Sequence, residues 1–122
     1  MTRVFVYGSL RHGESNHRVL EGATRIGAAR TTARFTLYDL GPFPGMVDAG
    51  AGVTEGEIYE VDDETLARLD ALEGHPSFYR RTAITLADGA EVETYLLTPA
   101  QVEGRPIVAS GDWSAHRRER GR

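Results

Sequence analysis

The stretch Val4-Phe5-Val6-Tyr7-Gly8-Ser9-Leu10 decides how the rest of the chain is read. Four apolar or aromatic residues in succession cannot alternate between a core and water, so they predict a strand buried on both faces. Gly8 stands where that strand ends, and it admits backbone angles and close approaches that a side chain forbids. A turn there leaves the amides of Gly8, Ser9 and Leu10 outside any sheet ladder. Successive free N–H groups of this kind form a concavity suited to an anion. Taken alone, the same residues equally describe a core strand followed by an ordinary turn.

Outward from this stretch, the totals narrow the possibilities. A chain of 122 residues fits one domain, able to bury roughly two-thirds of its unfolded surface. No apolar run reaches the roughly 20 residues needed to span a bilayer. The chain enters its first strand with no basic-then-apolar leader, and it has no cysteine, so a cytoplasmic location is expected. A net charge of −4 gives no general attraction to nucleic acid or to anionic membranes. Every one of the 14 Lys or Arg positions is arginine, which removes Schiff-base chemistry and the phosphate-binding lysine of nucleotide loops. The spacing Gly8-x4-Gly13-Glu14-Ser15 imitates such a loop, but Glu14 stands where the lysine belongs and would repel phosphate.

After a turn at Arg11-His12-Gly13-Glu14, Ser15 or Asn16 is a candidate cap for a short helix through Leu20. Residues 23–40 read as two strands or one long bent strand. Gly41-Pro42-Phe43-Pro44-Gly45 reads as a loop, because two prolines and two glycines are poor ladder members. A short strand is expected from Met46-Val47, ended by Gly50 and Gly52. Residues 53–61 form the next strand, with Glu55 and Glu57 in phase with Val53, Tyr59 and Val61. Asp62-Asp63-Glu64 is an acidic helix start, and the helix runs to Glu73 before Gly74 and Pro76. Strands follow at about 80–86 and 91–97 around an Asp88-Gly89 turn, and Ile107-Val108 is a candidate last strand. Residues from about 112 to 122 are expected as a flexible basic tail.

Glu73 lies four residues after Leu69 and seven after Leu66, which puts all three on one side of the helix. The two leucines face the core, so Glu73 is expected to face inward as well, in the turn where the helix dipole disfavours its charge. Burial and dipole together raise its pKa to a range suited to accepting and returning a proton. A small rotation would instead leave it exposed at the rim. Glu57 is the second candidate carboxylate, and Asp70, at the edge of the stripe, reads as a surface or structural group. The histidines at 12, 17, 75 and 116 have no metal-ligand spacing, so no metal or cofactor is expected. Ser9 lacks a nucleophile elbow and a visible His-Asp pair.

With Tyr7-Gly8-Ser9-Leu10 and Leu69-Asp70-x-x-Glu73-Gly74-x-Pro76-x-x-Tyr79-x-Arg81 both in view, the chain resembles the gamma-glutamylcyclotransferase-like superfamily. The closest likeness is to its gamma-glutamylamine cyclotransferase branch. Asn16-His17-Arg18-Val19-Leu20 and Glu55-Gly56-Glu57-Ile58-Tyr59-x-Val61-Asp62 strengthen it, and Gly111-Asp112-Trp113 looks like small bacterial members. The resemblance implies an α+β fold: a mixed, barrel-like sheet with one main helix, short helices alongside, and a cavity at one end. It implies that Tyr7, Gly8, Ser9 and Leu10 bind substrate, that Tyr79 lines the cavity, and that Glu73 is the general acid/base. Arg81 matches the pattern without an assigned role. The implied reaction releases 5-oxoproline and a free amine from a gamma-glutamyl amine or peptide. A small gamma-glutamyl substrate is thus the expected partner, with neither nucleic acid nor membrane, and the motifs carry no reading of the oligomeric state. The alternative is a non-catalytic module holding a carboxylate metabolite in the same cavity.

Overall fold

The computed structural model describes residues 1–120. In chain order they form β1 (Thr2–Val6), β2 (Thr24–Arg30), β3 (Phe35–Asp39), β4 (Pro44–Gly52), β5 (Glu55–Val61), α1 (Asp63–Glu73), β6 (Arg80–Thr85), β7 (Glu91–Leu96) and α2 (Trp113–Arg120). Short 3-10 turns stand at His17–Leu20 and Pro99–Val102.

Five strands make one mixed sheet in the order β2-β5-β1-β7-β6, and β3 pairs with β4 in a separate hairpin. The opening strand is therefore the middle one, antiparallel to β5 and parallel to β7. Its continuous apolar run is explained by its two faces. Val4 and Val6 belong to a core that holds Tyr59, Val61, Leu69 and Tyr95. Phe5 and Tyr7 belong to a second core around Phe35, Met46, Leu96 and Trp113. The two outer strands of the sheet meet through a single bridge, Thr31 with Leu86, so the sheet curls into a nearly closed barrel. β4 joins β7 through a bridge between Val47 and Leu97. The fold class is α+β.

The α1 boundaries follow directly from local chemistry. The Asp62 carboxylate accepts the Thr65 N–H as N-cap, and Gly74 takes the left-handed conformation that ends the helix. Thr65 and Leu69 are the buried residues of this helix, with Leu66 packed at the core's edge.

Several local expectations are corrected. The loop after β3 is shorter than its prolines and glycines imply, because Pro44 and Gly45 already belong to β4. Pro44 is the first residue of that strand, where a missing N–H does no harm. Gly50 does not end β4, which runs on as far as Gly52. Both glycines sit opposite the irregularity between Phe35 and Thr36, and a Cβ on Gly52 would come within 2.6 Å of the Phe35 carbonyl. Ile107 makes only an isolated bridge with Tyr38, so no eighth strand forms.

The expected flexible tail is a helix over residues 113–120. Trp113 is 1% exposed, and Arg120 and His116 both reach the Asp39 carboxylate. Reading the segment as solvated counted its arginines without their buried acidic partners. The remainder of that tail, residues 121–122, lies outside the described residues. No described helix is long and apolar enough to cross a membrane.

Candidate active site

A cavity of about 480 Å³ opens where β1 ends, and its walls come from four parts of the chain. The turn at residues 8–10 forms one side, and the end of α1 with Glu73 forms another. Residues 42–44 and the pair Phe78–Tyr79 complete it, with Tyr95 at the back. Tyr7, Gly8, Ser9, Leu10, Glu73 and Tyr79 all line this one space, although 63 positions separate Leu10 from Glu73.

The turn has a one-sided hydrogen-bonding pattern. The Gly8 carbonyl accepts the Arg11 N–H at 3.0 Å, and the Ser9 carbonyl accepts the Asn16 N–H at 2.8 Å. The Leu10 carbonyl accepts from His17 Nδ1 at 3.0 Å. All three acceptors are thus satisfied within the protein. No acceptor for the N–H of Gly8, Ser9 or Leu10 is present among the described residues. Three successive unpaired donors beside a cavity are a grouping that suits an anion. Asn16, a candidate helix cap in the sequence, makes no side-chain cap; its Nδ2 donates to Ser9 Oγ at 3.0 Å and braces the turn. Gly8 is required by close approach, since a Cβ there would lie 2.7 Å and 2.9 Å from the Pro44 ring.

Glu73 faces inward from the last turn of α1, one turn beyond the fully buried Leu69. Its carboxylate has no hydrogen-bond or ion-pair partner among the described residues, and burial pushes its pKa up to about 7. Its charge also raises the phenol pKa of Tyr7, Tyr79 and Tyr95, behind the larger effect of burial on each, and all four groups line the same cavity. Those hydroxyls are already committed. Tyr7 Oη donates to the Tyr95 carbonyl at 2.6 Å and accepts the Met46 N–H at 3.1 Å. Tyr79 Oη donates to the Pro44 carbonyl, and Tyr95 Oη donates to Asp70 Oδ1 at 2.7 Å. Tyr7 and Tyr79 therefore offer ring surface to the cavity while their hydroxyls hold β4 against it.

Glu57, the second candidate carboxylate, does not reach the cavity. Burial would raise its pKa, but the His12 N–H, the Tyr59 hydroxyl and Arg11 together outweigh that and hold it below the usual carboxylate value. Asp70 and Arg81 are structural. Arg81 pairs with Asp70 of α1 at 2.9 Å and with Glu93 of β7 at 2.9 Å, joining helix to sheet away from the cavity. Pro44, Asn16, Phe43, Phe78 and Tyr95 complete the site without having been singled out for it from the sequence. Only Asn16 stood in a recognisable motif. Phe43 and Pro44 arrive through the β3–β4 connection, Phe78 through the loop between α1 and β6, and Tyr95 through β7, and no local pattern marks them for the site.

Residues 4–115 match the family described as gamma-glutamyl cyclotransferase, AIG2-like. A Vibrio cholerae relative that carries the gamma-glutamylcyclotransferase name provisionally is 45% identical over 111 residues, covering 90% of this chain and 93% of its own. An uncharacterised Pyrococcus horikoshii protein of known crystal structure superposes with a TM-score of 0.81 at 30% identity, covering 99% and 97% of the two chains. A mouse AIG2-like protein gives 0.75 at 32% identity, over 92% and 88%.

Proposed function

Because the chain belongs to the gamma-glutamyl cyclotransferase, AIG2-like family, we propose that it converts a gamma-glutamyl amine into 5-oxoproline and a free amine. One observation carries the reading: an unpaired glutamate with a pKa of about 7 shares a cavity with a turn of three unpaired amides. The turn binds the substrate α-carboxylate through the N–H groups of Gly8, Ser9 and Leu10. That anchorage folds the substrate so that its α-amine approaches its own γ-carbonyl carbon. The nucleophile is then part of the substrate, and no protein nucleophile is called for. Alignment of this kind supplies about 7–11 kcal/mol in favourable cases.

Glu73 takes a proton from the α-ammonium, and the amine forms the new C–N bond. The tetrahedral intermediate expels the γ-nitrogen, which leaves as an amine after Glu73 returns the proton. The α-nitrogen loses two protons in all: Glu73 relays the first to the γ-nitrogen as its bond breaks and then the second, so the departing amine ends as an ammonium ion and the carboxylate is restored. An amine is favoured over an amino acid as leaving group because the lining contains no Arg or His to receive a second carboxylate. The cavity mouth is apolar instead, formed by Pro42, Phe43, Leu72 and Phe78. The cytoplasm is the proposed compartment, in keeping with a chain that has no cysteine.

The test is a panel of gamma-glutamyl alkylamines and dipeptides, read for 5-oxoproline by mass spectrometry. Amines are expected to be turned over faster than dipeptides. For the best substrate kcat/KM rises with pH through about 7 as Glu73 loses its proton. No 5-oxoproline from any member, with a carboxylate metabolite still raising Tm, would replace this reading with a binding module.

A further inference from the structure

Behind the amide turn lies a charged cluster that the proposed reaction does not use. Glu57, on β5, is 5% exposed and sits opposite Val6 in the sheet, at the base of the turn. Its Oε1 accepts the His12 N–H at 2.9 Å and the Tyr59 hydroxyl at 2.8 Å. Its Oε2 accepts Arg11 Nε at 3.2 Å. Arg11 Nη1 donates in turn to Asp112 Oδ1 at 2.9 Å. That aspartate also accepts the Ala115 N–H at the start of α2. The residues immediately after the three free amides are therefore held at both main chain and side chain, between a central strand and the C-terminal helix. The next N–H in the series, that of Arg11, closes the turn on Gly8.

From this arrangement we infer that Glu57 is a positioning residue: by gripping the backbone of His12 and the guanidinium of Arg11 it holds the Gly8–Leu10 amides aimed into the cavity for the substrate carboxylate. The inference rests on the proposed role of that turn. An unpaired amide triplet has every reason to relax. Rotating a peptide plane would give its donors intramolecular partners in place of the open cavity. Bonds from Arg11, Asn16 and His17 hold the carbonyls, while among the described residues the Arg11 guanidinium and the His12 N–H are anchored only through Glu57 and Asp112. Both carboxylates stay ionised at neutral pH, each held below the usual value against the opposing effect of burial. Glu57 thus acts as a fixed acceptor, which no proton-transfer role would require.

The test titrates isotope-labelled protein with 5-oxoproline, which carries the carboxylate without needing turnover, and follows the backbone N–H resonances by NMR. In the wild type the Gly8, Ser9 and Leu10 signals shift with saturation. In Glu57→Gln, which keeps the shape but faces Arg11 with an NH2 group, Kd for 5-oxoproline rises by about fivefold or more while strand signals stay in place. Arg11→Lys, which keeps the charge but loses the two-ended bridge, weakens binding in the same direction and serves if Glu57→Gln does not fold. With a substrate that turns over, KM rises in both variants, kcat changes by less than about twofold and the rate limb near pH 7 is kept, the pattern of lost uniform binding. Unchanged Kd and KM in the folded variants overturn the positioning role, as do wild-type turn amides that ignore 5-oxoproline. Absence of turnover with the NMR result intact counts against the cyclotransferase reading alone.

Discussion

Glu73 and Glu57 are both carboxylates withdrawn from water a short distance from the same turn, and the protein treats them in opposite ways. Glu73 has no partner among the described residues, and burial lifts its pKa to about 7. Glu57 is less exposed to solvent, yet its pKa is held below the ordinary range, because two N–H donors and a phenol outweigh the desolvation. Burial sets the cost of the charge; the donors within reach decide whether the group keeps it. One carboxylate is therefore suited to moving protons and the other to holding backbone still.

The sharpest way to break this comparison is to remove the proton from Glu73's chemistry. Glu73→Gln is expected to lower the rate of 5-oxoproline release by about 10²–10⁴-fold with little change in KM. An equal loss in Glu57→Gln would erase the distinction between the two groups. Next in size is Arg11→Met, which strands Glu57 and Asp112 without their cation. It should cost about 3 kcal/mol in urea unfolding and raise the Glu57 carboxyl pKa toward that of Glu73, as followed by carbon NMR.

The two groups also leave opposite signatures in stability against pH. Glu73 binds its proton more tightly folded than unfolded, so its contribution is present below about 4.5 and is lost as pH rises through about 7. Glu73→Gln should thus gain about 1–3 kcal/mol at pH 8 and close to nothing at pH 4, measured as Tm across that range. Glu57 behaves in reverse: its folded pKa is depressed, so its contribution is present above the ordinary carboxylate value and is lost on acidification through the folded one. The smallest effect is expected for Tyr59→Phe, which removes one of Glu57's three donors while keeping the core filled, at a cost of about 1 kcal/mol in urea unfolding.

Much of the fold was legible because its signals are local. The run at residues 4–7 marked a strand covered on both faces, and it proved to be the middle of the sheet with a different core on each side. Asp62 and Gly74 marked the ends of α1, since capping depends on the residue and its immediate neighbours. Prolines and glycines at 41–45 misled, because a strand's first residue tolerates what its middle does not. The C-terminal arginines misled for a different reason: Asp39 and Glu14, which receive them, lie 81 and 103 positions away along the chain.

The sequence by itself determined the central strand, the helix that carries Glu73, and the side of that helix on which Glu73 lies, because each depends on periodicity and caps within a few residues. Tertiary structure alone decided that this carboxylate would go unpartnered while Glu57 would be surrounded. It also tied the Tyr7 and Tyr79 hydroxyls to backbone, while those of Tyr95 and Tyr59 reach carboxylates, and the same packing brought Pro44 against Gly8. A pKa and a cavity are made by atoms that meet across strands, and spacing along one segment carries no information about which donors another segment will bring.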